Sequence, residues 1–497
     1  MPSTAPTASA VLDGGPAPSP VPRVLDRIAG QDAERVALVH GERRMTYGQL
    51  ALAVAFRADE LAAEGAGPGR LVAVNRPRGI DAVVGLLAAL RTGAAYLPLD
   101  PGAPATRTAA VLADCTGTDV RAGEGETVLP GPGVDPEAAY VIYTSGSTGT
   151  PNGVVVGQDA LAHFTAGATA VYGIRADDRV LQFAPLHFDA SVEEVFLTLG
   201  AGATLVLRDE DMLDVPGLLA GCAAHGITVL DLPTAYWHEL AHAVAADLAE
   251  LPASLRTVVI GGEAALPERV AQWCAAVDPA RVRLLNTYGP TEATVVATVA
   301  DLSRHPGGPV PIGTPLPGVR AALVDGELWL LGGGLALGYL GRPELTERRF
   351  ARLDGARAYR TGDLVTVRPD GQLGFEGRAD DEVKINGHRV DPASVESVLA
   401  GHPAVREAAV VAADAPGGGK RLVAYVVAGP GTSEGELREH TRQALPAAAV
   451  PGTFELVQAP LPRTSSGKID RKALRATAAS ASPTASPSVS ASAPLTP

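Results

Sequence analysis

A chain of 497 residues is too long for one small domain, and with 46% apolar residues it has the material for a sizeable core. A net charge of −14 and a pI near 5.2 argue against nucleic acid or an anionic membrane as the main partner. Cys115, Cys222 and Cys274 lie far apart without paired ligand spacing, which disfavours a disulfide framework or zinc site and fits a reducing compartment. No apolar run reaches membrane-spanning length, and residues 1–20 lack the basic start and apolar centre of a secretory signal, so the expected location is cytoplasmic.

Thr46-Tyr47-Gly48-Gln49 has the Thr-x-x-Gln form of a capping box, and Leu50, Leu52, Ala55 and Leu61 follow at mostly helical spacing up to the Gly65-Ala66-Gly67-Pro68 break. Leu71 to Val74 reads as a buried strand. The stripe Val83, Val84, Leu86, Leu87 and Leu90 reads as a helix ending at Gly93, and the run to Pro98 as a second strand. Strand, helix, strand is the unit of a parallel sheet.

The apolar run Tyr140 to Tyr143 breaks into Thr144-Ser145-Gly146-Ser147-Thr148-Gly149-Thr150-Pro151-Asn152-Gly153. Small hydroxyl and glycine residues let backbone N–H groups turn toward one point, so this composition suits a phosphate cradle. No Gly-Lys-Ser/Thr ends the stretch, which separates it from the usual P-loop. A Ser/Thr/Gly run is also an ordinary turn, and these residues alone leave both readings open.

Beyond the loop, Val180 to Phe183, Ala203 to Leu207, Ile227 to Leu230, Thr257 to Ile260 and Val282 to Leu285 are short strand-like runs, several separated by helical stretches. In open α/β sheets ligands collect at the carboxyl ends of such strands. Asp189, Asp231, residues 261–264 and residues 287–292 are therefore expected to share one crevice with the loop. From about residue 310 hairpin-like pieces take over, including Val365 to Val367 joined to Leu373 to Phe375 across Pro369-Asp370-Gly371-Gln372. A smaller unit then reads β (Val383 to Ile385), α (Pro392 to Leu399), β (Ala408 to Ala412), β (Leu422 to Val427), α from a Ser433-x-x-Glu436 box, and β (Phe454 to Val457).

The expected fold is α/β. A large N-terminal domain with parallel-type sheets and a β-rich subdomain spans 23–377, and a small α+β domain spans 378–475. Segments 1–22 and 476–497 are expected to be disordered, the latter being almost wholly Ala, Ser, Pro and Thr.

A series of motifs in fixed order carries a resemblance. It runs from Leu90-Arg91-Thr92-Gly93-Ala94-Ala95-Tyr96-Leu97-Pro98-Leu99-Asp100 and the Ser/Thr/Gly loop, through Phe188-Asp189-Ala190-Ser191, Asn286-Thr287-Tyr288-Gly289-Pro290-Thr291-Glu292 and Gly326-Glu327-Leu328, to Tyr359-Arg360-Thr361-Gly362-Asp363, Gly377-Arg378-Ala379-Asp380 and Ser466-Gly467-Lys468-Ile469-Asp470-Arg471. Over residues 25–475 the chain resembles the acyl- and aminoacyl-adenylate-forming superfamily, close to the amino-acid-activating enzymes of nonribosomal peptide synthesis.

That resemblance implies attack of a substrate carboxylate on the α-phosphate of ATP, then transfer of the acyl group to a thiol. The pentavalent phosphorus gathers negative charge, so cations and donors are required around it. Lys468 matches the catalytic lysine and Thr291 the residue beside the α-phosphate, while Glu292 matches the acid that holds Mg²⁺. The loop residues Thr144, Ser145, Gly146, Ser147, Thr148 and Gly149 would face the pyrophosphate side. Gly262, Glu263, Ala264, Asn286, Thr287 and Tyr288 would surround the adenine, with Phe375 packed against the nucleotide, Asp363 accepting the ribose hydroxyls and Arg378 reaching ribose and phosphate. Asp380 aligns with a hinge about which the small domain rotates, making that domain mobile, and Gly387 would line the thiol's approach. Two departures stand out: Asn152 replaces a usual lysine, which weakens a pyrophosphate contact and slows turnover, and Leu337 replaces a common arginine.

Carried over one position at a time, the substrate pocket comprises Asp189, Ala190, Glu193, Asp231, Val259, Gly261, Thr287, Val295 and Val296, with Lys468 completing it. Asp189 would pair with the substrate α-amine. Glu193 and Asp231, in surroundings of Val, Ala and Gly, ask for a second positive charge. The substrate expected is a basic diamino acid, namely lysine, β-lysine or ornithine, with Gly261 leaving depth for a long side chain. No carrier-protein motif follows Lys468, so a freestanding enzyme that loads a separate phosphopantetheinylated carrier protein is expected. The alternatives are an acyl-CoA or aryl-acid ligase, which the three acids count against, and a degenerate nucleotide-binding protein, which Lys468, Glu292 and Asp363 count against.

Overall fold

The computed structural model describes residues 7–17, 21–118, 120–131, 133–144, 151–379, 382–415, 419–463 and 469–480. The helix Tyr47–Ala63 begins as its sequence dictates: Gln49 N donates to Thr46 Oγ1 at 3.2 Å and Thr46 N to Gln49 Oε1 at 2.9 Å. Strand Leu71–Asn75, helix Ile80–Arg91 and strand Ala95–Pro98 follow, the two strands paired in parallel. Both strands are buried along almost their whole length, which is why their residues read as continuous apolar runs rather than alternations.

These strands sit in a six-stranded sheet that also contains the antiparallel arms Ala138–Thr144 and Asn152–Gly157. Thr144 lies opposite Asn152, so the Ser/Thr/Gly loop joins the arms of a hairpin. Ser145, Gly146, Ser147, Thr148 and Gly149 themselves lie outside the described residues.

The larger sheet has fifteen strands among the described residues. Strands Val36–His40, Thr204–Leu207, Arg179–Gln182, Val229–Pro233, Thr257–Gly261 and Arg283–Tyr288 run parallel. The path then turns antiparallel through Thr298–Asp301 and Pro311–Pro315 into the hairpins built from Val319–Val324, Glu327–Gly332, Ala356–Val367 and Leu373–Arg378. The parallel strands therefore deliver their carboxyl ends to one edge, where Asp231, Gly261 and Thr287 lie. The expected strand start at Ile227 moves to Val229, and the Thr228 hydroxyl instead donates to Asp178 Oδ1 at 2.8 Å.

The smaller unit contains the hairpin Val383–Ile385 and His388–Val390, helix Pro392–Ala400, the paired strands Val405–Asp414 and Lys420–Ala428, helix Glu434–Ala444 and strand Thr453–Leu456. Ser433 Oγ accepts from Glu436 N at 3.2 Å, as its motif requires.

Both terminal expectations change. Ala10–Asp13, inside the segment expected to be disordered, is a strand antiparallel to Val319–Val324, with Ala10 opposite Leu323. Helix Arg471–Ser480 runs past residue 476, because Ala478 sits one turn beyond Leu474 and both bury against Tyr425 and its neighbours. The cysteines are free, Cys115 and Cys222 buried and Cys274 half-buried. Among the described residues no helix is long and apolar enough to cross a membrane.

Candidate active site

Asp189 is the N-cap residue of helix Ala190–Gly200, and Glu193 follows one turn later on the same face. The Thr291 hydroxyl donates to Asp189 Oδ2 at 2.5 Å, joining two motifs about a hundred residues apart. Burial raises the Asp189 carboxyl above its ordinary value, against the pull of that hydrogen bond and of Lys384. Thr291 is thus brought directly to the residue expected to receive the substrate amine.

Glu193 is buried and accepts from the Tyr172 hydroxyl. Burial pushes its carboxyl up to about 8, with Tyr172 opposing and Glu194 and Asp189 adding to the rise. Asp231, on the strand Val229–Pro233, is raised well above its ordinary value by burial and by the neighbouring charges of Glu193 and Glu194; its Oδ2 has no hydrogen-bond partner. Glu194, by contrast, is satisfied: it accepts from Phe183 N at 2.9 Å, Ala184 N at 3.0 Å and Gln182 Nε2 at 2.7 Å. Among the described residues neither Glu193 nor Asp231 has an ion-pair partner, so this pair of acids presents uncompensated acceptor capacity.

Val259, Val295 and Val296 pack in one apolar cluster with Tyr288, while Ala190 is half-buried at the start of the helix. Thr294 and Val295 both take left-handed backbone conformations, φ 57° and 69°, an arrangement costly for β-branched residues and characteristic of constrained sites. The depth expected beside Gly261 is partly filled: a Cβ there would lie 2.4 Å from Thr287 Oγ1, which is fixed by its bond to Ile260 O at 3.0 Å.

On the nucleotide side, Asp363 accepts from the Tyr288 hydroxyl and from Arg378 Nη1 at 2.7 Å. The Phe375 ring lies 6.5 Å from that of Tyr288 and is partly exposed. Asn286 Nδ2 donates to Pro311 O at 2.8 Å, leaving its buried Oδ1 without a partner. Gly262 has φ 87° and approaches the small unit so closely that a Cβ would meet Gly387 Cα at 3.1 Å. Gly387 N donates to Glu263 Oε1 at 2.8 Å, whereas Ala264 is exposed. Thr144 Oγ1 donates to Asn152 O at 3.4 Å. Lys468 and the hinge residue Asp380 lie outside the described residues.

Several residues singled out by no motif complete the site. Hairpin Val383–Ile385/His388–Val390 brings Lys384 within 5.8 Å of the Tyr288 ring centre; burial lowers its ammonium, against Asp363 and Asp189. From the same hairpin Arg389 reaches Glu292 Oε1 at 3.2 Å, while the Tyr339 hydroxyl donates to Glu292 Oε1 at 2.6 Å. Burial pushes Glu292 up, but Arg389 and Tyr339 prevail and hold it below its ordinary value. Buried Glu382 bridges Arg389 at 2.6 Å and Arg378 at 2.5 Å, so charge alternates from Glu292 through Arg389, Glu382 and Arg378 to Asp363. The Gly-x-Arg pattern around 387–389 was the available signal.

Glu292, the residue expected to hold Mg²⁺, faces the Arg389 guanidinium in this arrangement, and among the described residues no group of three His, Cys, Asp or Glu gathers around it; Mg²⁺ shared between one carboxylate and nucleotide phosphates needs no such group. At the Asn152 departure, Arg342 Nε donates to Asn152 Oδ1 at 3.2 Å and Arg342 Nη2 to Asp114 Oδ1 at 2.7 Å, so the guanidinium ties Asn152 to Asp114. At the other, Arg357 donates to the carbonyls of Ala336 and Leu337.

Residues 25–118 and 116–340 match the AMP-binding enzyme family, and residues 394–468 match the AMP-binding enzyme C-terminal domain. The chain is 55% identical to an isonitrile lipopeptide synthase of Streptomyces coeruleorubidus, over 94% of this chain but 34% of that protein, so it spans about a third of that relative. It is 39% identical to novobiocin biosynthesis protein H of Streptomyces niveus, over 83% of this chain and 75% of the relative. The fold aligns with NpsA-ThdA, an artificially fused adenylation-PCP di-domain NRPS from Klebsiella oxytoca, with a TM-score of 0.75 and 25% identity, over 87% of this chain and 85% of the other. By these matches, and by a fold that pairs a large sheet-rich N-terminal part with a smaller C-terminal one, the chain belongs to the AMP-binding enzymes, the family of AMP-forming ligases and adenylation enzymes.

Proposed function

We propose that the protein uses ATP to convert a basic diamino acid into its aminoacyl-adenylate, with release of pyrophosphate, and passes the acyl group to the phosphopantetheine thiol of a carrier protein. The observation that carries this reading is the line of acids from Asp189, tied to Thr291 at 2.5 Å, through Glu193 to the partnerless Asp231. Asp189 would receive the α-ammonium, while Glu193 and Asp231 receive the distal one; a buried carboxylate without a cation is costly, and a diammonium substrate supplies two.

In the adenylation step a carboxylate oxygen of the substrate bonds to the α-phosphorus as the bond from that phosphorus to the bridging oxygen of pyrophosphate breaks. Thr291, its hydroxyl released from Asp189 once the substrate ammonium takes that carboxylate, would donate at the α-phosphate, Lys468 would set its ammonium against the charge that accumulates there, and Asp363, held by Tyr288 and Arg378, would accept from the ribose hydroxyls. We read the described arrangement as the one that follows adenylation, with the hairpin carrying Lys384 and Arg389 docked into the site and Gly387 against Gly262. Support for a carrier protein comes from the adenylation-PCP relative named above. Lysine, β-lysine and ornithine are the candidate substrates.

Amino-acid-dependent exchange of labelled pyrophosphate into ATP tests this reading. Basic amino acids should drive the strongest exchange, ahead of neutral and acidic ones and of aryl acids. Strongest exchange with neutral amino acids would remove the two-acid pocket, and with aryl acids it would make the protein an aryl-acid ligase.

A further inference from the structure

We infer that Tyr172, which lies outside the pocket positions taken from the family, is a specificity-positioning residue: its hydroxyl fixes Glu193 so that Glu193 and Asp231 together receive the distal ammonium of the substrate. The inference rests on the basic-substrate reading above and names the residue that builds its far end.

Tyr172 is the last residue of helix Gln158–Tyr172, which Gly173 ends with φ 69°. Its side chain is 2% exposed and belongs to the main apolar cluster. Arg283 Nη1 donates to the Tyr172 carbonyl at 3.4 Å and Arg256 Nη2 to the Gly173 carbonyl at 2.9 Å, so the helix end is anchored from the strand Arg283–Tyr288 and from the residue just before the strand Thr257–Gly261. A phenol held this rigidly offers its single proton in one direction, and Glu193 takes it.

That choice divides the labour between the two acids. Glu193, 4% exposed and at the first turn of helix Ala190–Gly200, has one oxygen committed to Tyr172 and is thereby locked in rotamer. Asp231 receives nothing from Tyr172, and its Oδ2 remains a buried acceptor with no partner. A cation entering between them meets one carboxylate oriented by the phenol and one that no protein group satisfies. Without the phenol, Glu193 can turn away or share its proton with Asp231, and either change removes half of the receptor for the ammonium.

A double-mutant cycle on substrate recognition tests this. Tyr172→Phe keeps the buried ring, and the expected result is a rise of about tenfold in the exchange KM for lysine relative to the KM for ATP, the loss of one hydrogen bond to a charged group. The KM for norleucine, which lacks the distal amine, should not rise with it. In a Glu193→Gln background the same Tyr172→Phe change should add less than about twofold. Should Tyr172→Phe fail to fold, Glu193→Asp withdraws the carboxylate from the hydroxyl with the ring intact and should raise the lysine KM similarly. Equal rises for lysine and norleucine, or additive effects of the two substitutions, would overturn the positioning role. Absence of any preference for lysine over norleucine in the unmutated protein would overturn the substrate reading itself.

Discussion

Asp231 is the residue on which the substrate reading turns, since buried carboxylates rarely go without a donor. Its environment predicts a pH dependence with a definite sign. Burial and mutual repulsion keep Glu193 protonated up to about 8 and raise Asp231 and Asp189 as well, with Tyr172 and Glu194 also facing this pair. A substrate ammonium, itself charged throughout this range, needs the carboxylates ionised. The KM for lysine should therefore fall as pH rises toward about 8, by up to about tenfold per unit, while the KM for ATP moves less. The linked effect on the substrate-free protein has the opposite sense: above the ordinary carboxylate range the unfolded chain releases a proton that folded Glu193 retains, so stability falls as pH climbs toward about 8. A lysine KM that is flat or rises across this range contradicts the assignment. Asp189, Glu193 and Asp231 could be singled out in the sequence because the family resemblance places them at pocket positions whose other occupants are mostly Val, Ala and Gly. Tyr172 could not, since nothing in a buried helical tyrosine announces which side chain, two elements away, will take its proton.

At the scale of elements, hairpin Val383–Ile385/His388–Val390 contributes more than its length suggests. It carries Lys384 and Arg389 into the site, and the contact of Arg389 with Glu292 crosses between the two units, whereas its contact with Glu382 lies within the smaller one. Replacing Arg389 with Ala leaves buried Glu292 without that cation, while Glu382 keeps Arg378, and breaking such a buried pair typically costs about 3–5 kcal/mol in the state that contains it. Arg389→Ala should accordingly slow single-turnover transfer of the acyl group to the carrier thiol by at least about tenfold, and slow pyrophosphate exchange less. Equal losses in both half-reactions would contradict the reading of the docked arrangement. Capping residues and continuous apolar runs made most local elements readable, as at Thr46 and Leu71. The strand Ala10–Asp13 is not legible because its partner lies more than three hundred residues away, and the end of helix Arg471–Ser480 is not because Ala-rich composition suits a low-complexity tail and a helix alike.

For the whole molecule, the order of motifs revealed the family and the two-part architecture. It could not reveal that the parallel core and the later hairpins form one continuous sheet, since that depends on edge pairings such as Pro311 with Gly374. Nor could it reveal that Glu292 and Asp363, assigned to separate parts of the nucleotide, are joined by a chain of alternating charge from the smaller unit. An adenylation site shaped for a second positive charge, as proposed, must reject a substrate that lacks it. The most direct measurement is the ratio of kcat/KM for lysine to that for norleucine in pyrophosphate exchange, because the two differ at the far end of the side chain where Glu193 and Asp231 wait. A ratio of at least about a hundred is predicted, as expected for a site whose buried polar groups would otherwise stay unpaired. A ratio near one, or norleucine preferred, would contradict the account.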